Sequence, residues 1–556
     1  MRRFSRRRFV AIAGAALAAG TAGGLVWSQQ RRTDKHAGHD MPAAPSAVEA
    51  SAFAAPLRLP GTGGLFGVLD VSAPLTIVGT GFRYPILPGK PAQLLGYQVD
   101  HDGKTFLNPV LRVRNGAALR VKFRNALDEA SIIHWHGLHV DSKNDGHAHY
   151  AVRGGASYDY QFTVANRAAT YWYHPHPHGL TGKQVYLGMA GLFIVEDDDE
   201  IALREKLDLE FGVTDVPLVL QDRRFSDAGE LAYMPSTDEI EAGLAGDTVL
   251  VNLTDKPFFD AARRIVRFRI LNGSNARNYR LAFMQGDQPL PYYVIGTDGG
   301  LLERPVQVTE AFISAAERLD VLLDLRVADS TRPVMLKSLA FDPMHNESAD
   351  EQGAHAGHAM PGMQSGGGAD PHAAHAGGGP MDGAELSLLQ INIKDGVSYD
   401  RLIPNHLSLL PPADIVGARE RQIKLDIDDK RRWRINGLTF GMDATPITVK
   451  RGSKEIWMLQ NAMRSMPHPM HVHGFQFRVL QRRGSPQQIG RLASDAQGRL
   501  PSDLGWKDTV LVWPGETVRI AIDFSHSFHG DQIYLLHCHN LEHEDQGMMI
   551  NFKVKV

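Results

Sequence analysis

Short runs in which apolar and polar positions alternate, broken every few residues by Gly, Asn or Asp, dominate the chain from residue 53 onward. A period of two marks strands with one face buried, and breaks of this composition mark the turns between them. The pattern places strands at 110–113, 118–123 and 158–164, then at 218–222, 265–271 and 321–325, and later at 433–437 and 455–459. The expectation is an all-β chain of sandwich-type domains. Two stretches depart from it. Residues 11–26 form an apolar, Ala/Gly-rich run directly after Arg6, Arg7 and Arg8. Residues 341–383 are rich in Gly, Ala, His and Met, a composition that cannot bury a core.

At 556 residues the chain has room for about three domains, and 43% hydrophobic composition supports a large buried core. A formal net charge of -3 gives no basis for a nucleic-acid partner, because phosphate binding rests on clustered positive charge. A single cysteine allows no intramolecular disulfide, so packing must hold the fold together even in an oxidising compartment. The N-terminal order of arginines and apolar run resembles a twin-arginine export signal over 1–28, with Ala50-Ser51-Ala52 as a candidate cleavage site and an uncleaved membrane anchor as the alternative. Export would lead to the periplasm. Residues 29–52, with His36, His39 and Met41, read as a polar disordered tail.

Histidine is the unusual residue, at 25 copies, and it clusters around the lone cysteine. His537, Cys538 and His539 are followed by His543 and Met548. A thiolate, an imidazole and a weak axial thioether make three parts of a blue-copper site, which needs one more imidazole. In an extended segment His537 and His539 point one way and Cys538 the other, so one strand can serve two metal sites. A buried structural thiol among incidental histidines is the plain alternative. Three further clusters argue against it: His134 with His136, His174 with His176, and His468 with His471 and His473. His468 is the spare imidazole that completes the mononuclear set. Four His-x-His pairs then leave eight imidazoles, more than any ordinary zinc site uses. His147 and His149 lack a strand-like flank and read as solvated, and His178 as a surface or supporting group.

These motifs resemble the four copper-binding boxes of multicopper oxidases, and the resemblance spans nearly the whole chain after the signal. Segments without ligands share it, notably Arg269-Ile270-Leu271-Asn272, Asn275-Ala276-Arg277 and 316–321. It implies three consecutive cupredoxin-like Greek-key β-sandwich domains, here 53–198, 199–395 with the insertion at 341–383, and 396–556. It also implies four copper ions: one type 1 at His468, Cys538, His543 and Met548, one type 2 at His134 and His471, and two type 3. One type 3 copper would take His136, His174 and His539, the other His176, His473 and His537. Asp145 and Glu544 stand at the family positions for proton delivery, an ordinary surface carboxylate being the alternative for one of the two. The middle domain, which has no His-x-His pair, reads as a structural spacer.

Within the family the motifs and the insertion are most similar to bacterial periplasmic cuprous oxidases of copper tolerance. That likeness implies one-electron oxidation of Cu(I), with dioxygen reduced to water, by a monomer. Met466 matches a methionine that holds substrate Cu(I) in those enzymes, but Arg464 replaces their nearby aspartate and weakens a cation site. Met344, Met360 and Met363 of the insertion are further candidates for substrate copper, since thioethers suit Cu(I). The same insertion also carries His345, His355, His358, His372, His375 and Met381, and a passive linker is its bland alternative. A laccase-like oxidase of phenols or other organic donors is the second functional reading. A copper sequestration protein is the third, and the complete coupled ligand sets argue against it.

Overall fold

The computed structural model describes residues 53–61, 65–346, 382–396 and 398–556. Residues 1–52, read above as an export signal and a polar tail, and most of the insertion, including Met360 and Met363, lie outside the described residues. Among the described residues, no helix is long and apolar enough to cross a membrane.

Six sheets pair into three β-sandwiches. In the first module the strands run Lys104–Leu107, Lys90–His101, Leu75–Leu87, Ala118–Asn125, Ser157–Thr163 in one sheet and Val68–Asp70, Val110–Arg114, Gly191–Glu196, Ala169–Pro175, Ile133–His136 in the other. Each module mixes antiparallel hairpins with parallel neighbours that require a crossover: Leu75–Leu87 beside Ala118–Asn125, Asp215–Arg223 beside Ile265–Asn272, and Arg419–Ile427 beside Lys454–Asn461. These are Greek-key connections between two packed sheets. Each sandwich has its own core, with Phe123 and Trp135 in the first, Phe268 and Phe283 in the middle, and Trp457 and Phe552 in the third.

Strand positions follow the hydrophobic alternation closely where one face meets water. Ala118–Asn125 alternates exposed and buried at every step. The run expected at 433–437 stops at Ile435, because Asn436 and Gly437 both take positive φ and turn the chain. Two segments change module relative to the sequence reading. Ala55–Pro56 pairs with Pro257–Ala262, and Leu57 and Leu407 both insert into the middle core, so the ends of the middle module reach back to 55 and on to 407.

The strands that carry histidine behave differently. Ile133–His136 and Ala169–Pro175 are buried at every position. One face, with Trp135, Tyr171 and Tyr173, fills the first module's core. The other face, bearing His134, His136 and His174, is covered by the third module, while Trp172 packs on Leu271 and Ala316 of the middle module.

Candidate metal centre

Strand pairing brings the imidazoles together in two sets. In the first module His134 pairs across from His174, and Trp172 from His136. In the third, His471 pairs across from His537 and Met470 from Cys538. The two sets meet ring on ring: His134 stacks on His473 at 3.9 Å and His136 on His471 at 3.7 Å between centroids. All eight side chains are buried.

Their nitrogens converge in groups whose ligand atoms lie within 4.8 Å of one another: His134, His136 and His471; His136, His174 and His539; His176, His473 and His537. His134 Nε2 is 3.4 Å from His471 Nε2, His176 Nε2 is 3.4 Å from His537 Nε2, and His136 Nδ1 is 3.3 Å from His174 Nε2. Burial lowers the pKa of the His134, His136, His174, His471 and His473 rings, and takes His176 to about 4 and His539 to about 3. Imidazole is thus held neutral, the form that binds metal. Both ring nitrogens of His539 and Nδ1 of His176 have no hydrogen-bond partner despite their burial. Leaving such atoms unpaired is costly, so a donor set of this kind fits metal cations rather than a polar core.

The outer nitrogens are fixed by acceptors, which decides where the inner ones point. His134 Nδ1 donates to the Asp145 carbonyl (2.6 Å) and His473 Nδ1 to Asp145 Oδ2 (2.7 Å). That approach depends on Gly146, whose φ is 84° and where a Cβ would meet the Ile133 carbonyl oxygen at 2.1 Å. On the far side His471 Nδ1 donates to the Asp508 carbonyl (2.8 Å), and His136 Nε2 lies 3.0 Å from Asp508 Oδ1. His136 is therefore turned so that its Nδ1 faces the cluster. Arg318 of the middle module holds both Asp508 oxygens.

Behind this cluster, on the other face of the same strand, lies the second group: His468, Cys538 and His543. Cys538 Sγ is 3.5 Å from His468 Nδ1 and 3.6 Å from His543 Nδ1. Met548 is fully buried beside them, and its carbonyl accepts from Cys538 N (3.0 Å). Trp433 covers both rings, with centroid distances of 4.6 Å to His468 and 5.2 Å to His543. Burial pushes the Cys538 thiol well up, a cost that a bound cation reverses because a coordinating thiol is deprotonated. The remote nitrogens are also held: His468 Nε2 lies 3.1 Å from Ser465 Oγ, and His543 Nε2 donates to the Glu241 carbonyl (2.7 Å).

Several expectations are corrected. His147 is buried, not solvated, because its Nε2 bonds Asn551 Oδ1 (2.8 Å) and its Nδ1 accepts from His149 N (3.0 Å). His149 and His178 are exposed as expected. Neither Asp145 nor Glu544 is a surface carboxylate; both are buried, with Glu544 Oε2 3.2 Å from His537 Nδ1 and Oε1 3.5 Å from His176 Nε2. Burial pushes the Asp145 carboxyl well above the usual range. The middle module is more than a spacer, since it supplies Glu241 and Arg318. Met466 is buried in the third module's core, Arg464 is exposed, and Met344 packs partly buried beside Phe312 and Trp513. Asp508 and Trp433 lie far from any histidine box in the sequence, whereas Ser465 stands three residues before His468 and Arg318 lies in the 316–321 segment. Only the strand register that sets His471 beside Thr509 reveals Asp508.

Known proteins share this architecture. The multicopper oxidase family models match residues 96–200 and 417–556. A multicopper oxidase of Staphylococcus aureus is 30% identical over 84% of this chain and 85% of its own length. The crystal structure of McoA multicopper oxidase from the hyperthermophile Aquifex aeolicus is 39% identical, with a TM-score of 0.77 over 90% of this chain and 99% of that one. A laccase-like multicopper oxidase from an Ochrobactrum species, described as having oxidase activity towards lignin model compounds and lignosulfonate, is 28% identical with a TM-score of 0.70 over 90% and 100%. With these relatives and its buried imidazole clusters, the chain belongs to the multicopper oxidases, copper-dependent oxidoreductases that use dioxygen as electron acceptor.

Proposed function

We propose that the protein is a cuprous oxidase of copper tolerance, exported by the twin-arginine route to the periplasm, where it oxidises Cu(I) and reduces dioxygen to water. The observation that carries the choice of substrate is the link between the insertion and the mononuclear group. Asn346 N, where the described part of the insertion ends, donates to the Ser465 carbonyl (2.7 Å), and Ser465 Oγ is 3.1 Å from His468 Nε2. The residue that precedes a stretch rich in Met and His is thus bonded to the partner of a proposed ligand, and soft donors in that stretch favour Cu(I).

The ligand sets proposed are type 1 at His468, Cys538, His543 and Met548, type 2 at His134 and His471, and a type 3 pair at His136, His174, His539 and at His176, His473, His537. Bound copper supplies one-electron acceptance at the first site and four-electron reduction of dioxygen at the other three. The chain's own contribution is connection and proton supply. Cys538 lies between His537 and His539, so the shortest covalent path between the two sites is one residue long. Asp145 Oδ1, buried and without a hydrogen-bond partner, and Glu544 are placed to hold protons that the reduction consumes. Oxidation of phenols is the second reading, and exposed Arg464, a cation two residues from Met466 in the sequence, favours it.

The test compares the parent with a chain lacking 347–381. The deletion is short to bridge, since His345 Nε2 is 3.5 Å from Asp382 Oδ2 and Phe341 N donates to the Gly383 carbonyl (2.9 Å). At four coppers per chain in both, catalytic efficiency for Cu(I) should fall by about tenfold and that for a bulky phenol should rise, because the segment concentrates copper ions near the site. Unchanged kinetics for both donors would make the segment a passive linker and the protein a laccase.

A further inference from the structure

Among the described residues no member of the metal-binding groups comes from the middle module, yet that module seals one edge of the mononuclear group. The helix Thr237–Ala242 is locked at its start by a reciprocal capping box between Ser236 and Glu239, and it ends on Gly243 with φ 92°. At that end three successive contacts meet the turn that carries His543. The Glu241 carbonyl accepts from His543 Nε2 (2.7 Å) and from Trp433 Nε1 (2.8 Å). The Ala242 carbonyl accepts from Asn540 Nδ2 (3.3 Å). Leu244 N donates to Glu542 Oε2 (3.0 Å).

Glu542 is only 2% exposed, and each of its side-chain donors belongs to the middle module. Besides Leu244 N, its Oε1 accepts from Asn275 Nδ2 (2.8 Å) and from Tyr233 Oη (3.2 Å). The Asn275 carbonyl in turn accepts from Leu541 N (3.0 Å). A carboxylate buried this deeply needs such donors, and these can reach it only if the turn at 243 lies hard against the helix Leu541–Asp545. Gly243 permits that approach, since a Cβ there would meet Asn540 Nδ2 at 2.3 Å and Ala276 Cβ at 2.4 Å.

We propose that Glu542 is a positioning residue for the type 1 copper: it clamps the middle module's turn at 241–244 onto the His543 helix and closes the His543 edge to reducing substrates. The clamp keeps the Glu241 carbonyl on His543 Nε2, which holds Nδ1 on the Cys538 side, 3.6 Å from the sulfur. An acceptor on the remote nitrogen fixes a ligand ring's tautomer and orientation and raises its basicity. Electrons then arrive by the other edge, where Ser465 lies beside His468 and is itself bonded by Asn346. The inference rests on the assignment of His468, Cys538 and His543 to the type 1 copper.

The experiment uses the full copper-loaded chain and three variants, Glu542→Gln, Gly243→Ala and Tyr233→Phe. Type 1 copper is read by its blue absorption, its electron paramagnetic resonance parameters and its loss to a chelator. KM for a bulky phenol is measured beside KM for Cu(I). Glu542→Gln and Gly243→Ala should each weaken type 1 copper by about 10- to 100-fold, shift its resonance parameters and lower KM for the phenol, with the other coppers retained. Tyr233→Phe removes one donor of three and should move the same readings less. Should Glu542→Gln fail to fold, Gly243→Ala and Tyr233→Phe decide the matter. A parent without a blue band would overturn the type 1 assignment itself. Variants that match a blue parent in resonance parameters, chelator resistance and KM would overturn the clamp alone.

Discussion

Asp145→Asn separates anchoring from proton supply. The substitution keeps the side chain's shape and leaves the backbone bond from His134 Nδ1 (2.6 Å) intact. It alters only the bond from His473 Nδ1 to Oδ2 (2.7 Å) and the buried, unpartnered Oδ1. A hydrogen bond to a charged acceptor contributes about 1.5–3 kcal/mol and a neutral one about 0.5–1.5, so the anchoring loss is at most about 1–1.5 kcal/mol, and less where burial keeps the Asp145 carboxyl neutral. That is about tenfold in the affinity of one metal ion, which a sufficient copper supply offsets. Loss of a proton-transfer group is larger, about 10²–10⁴-fold in rate. In the assay the enzyme is reduced without oxygen and then mixed rapidly with dioxygen, and the return of the blue band is timed at full copper loading. Reoxidation should slow by about 10² or more, with the blue band and its rate of reduction unchanged, because Asp145 touches none of His468, Cys538 or His543. Glu544→Gln, which alters the carboxylate near His176 and His537, should behave alike. If both variants reoxidise at the parent's rate, the proton role is refuted and Asp145 is an anchor only.

The remaining predictions concern the metal groups and their supports. Cys538→Ser should abolish the blue absorption and lower the copper content from about four to about three per chain, measured by elemental analysis; a blue variant would refute the thiolate assignment. Arg318→Met leaves Asp508 a buried charge without its cation, a loss of about 3–5 kcal/mol. It should lower the temperature of irreversible inactivation and release copper from the eight-imidazole cluster, while Arg318→Lys should do both to a smaller degree. An unchanged inactivation profile in the Met variant would mean that Asp508 is compensated elsewhere.

The fold class and the histidine clusters were legible because both rest on local pattern. Alternation over 118–123 needs no partner to be read as a strand, and His-x-His on a strand puts two imidazoles on one face. What the pattern could not carry is everything that depends on which strands become neighbours. Asp508 follows Lys507 in a segment with no histidine, and it reaches His136 only because Thr509 pairs with His471. The burial of His147 depends on Asn551, some 400 residues away in the chain, whose amide is itself held by the carbonyls of Gly441, Met442 and Ala444. Glu241 acts through its backbone oxygen, so its side-chain identity offered no clue. A module without a His-x-His pair therefore reads as a spacer when only side chains are counted.

That spacer contributes to both sites in a way that the other two modules cannot replace. The first and third modules each supply a strand pair with imidazoles on its outer face, and stacking the two faces buries both sets. Stacking the two faces solves the burial but leaves their outer acceptors to be fixed. Asp508 belongs to the third module and serves His136 of the first, so its carboxylate sits at the seam and needs a cation from a third direction. Arg318 supplies it, itself backed by Asp298, which also pairs with Lys507. The same module supplies the carbonyl on His543 at the other site. Both groups are thus completed by backbone and ion-pair contacts from the one module that, among the described residues, adds no side chain to them. Metal binding should accordingly depend on all three modules being docked, and a fragment of the first or third module alone has only half of each stacked histidine pair.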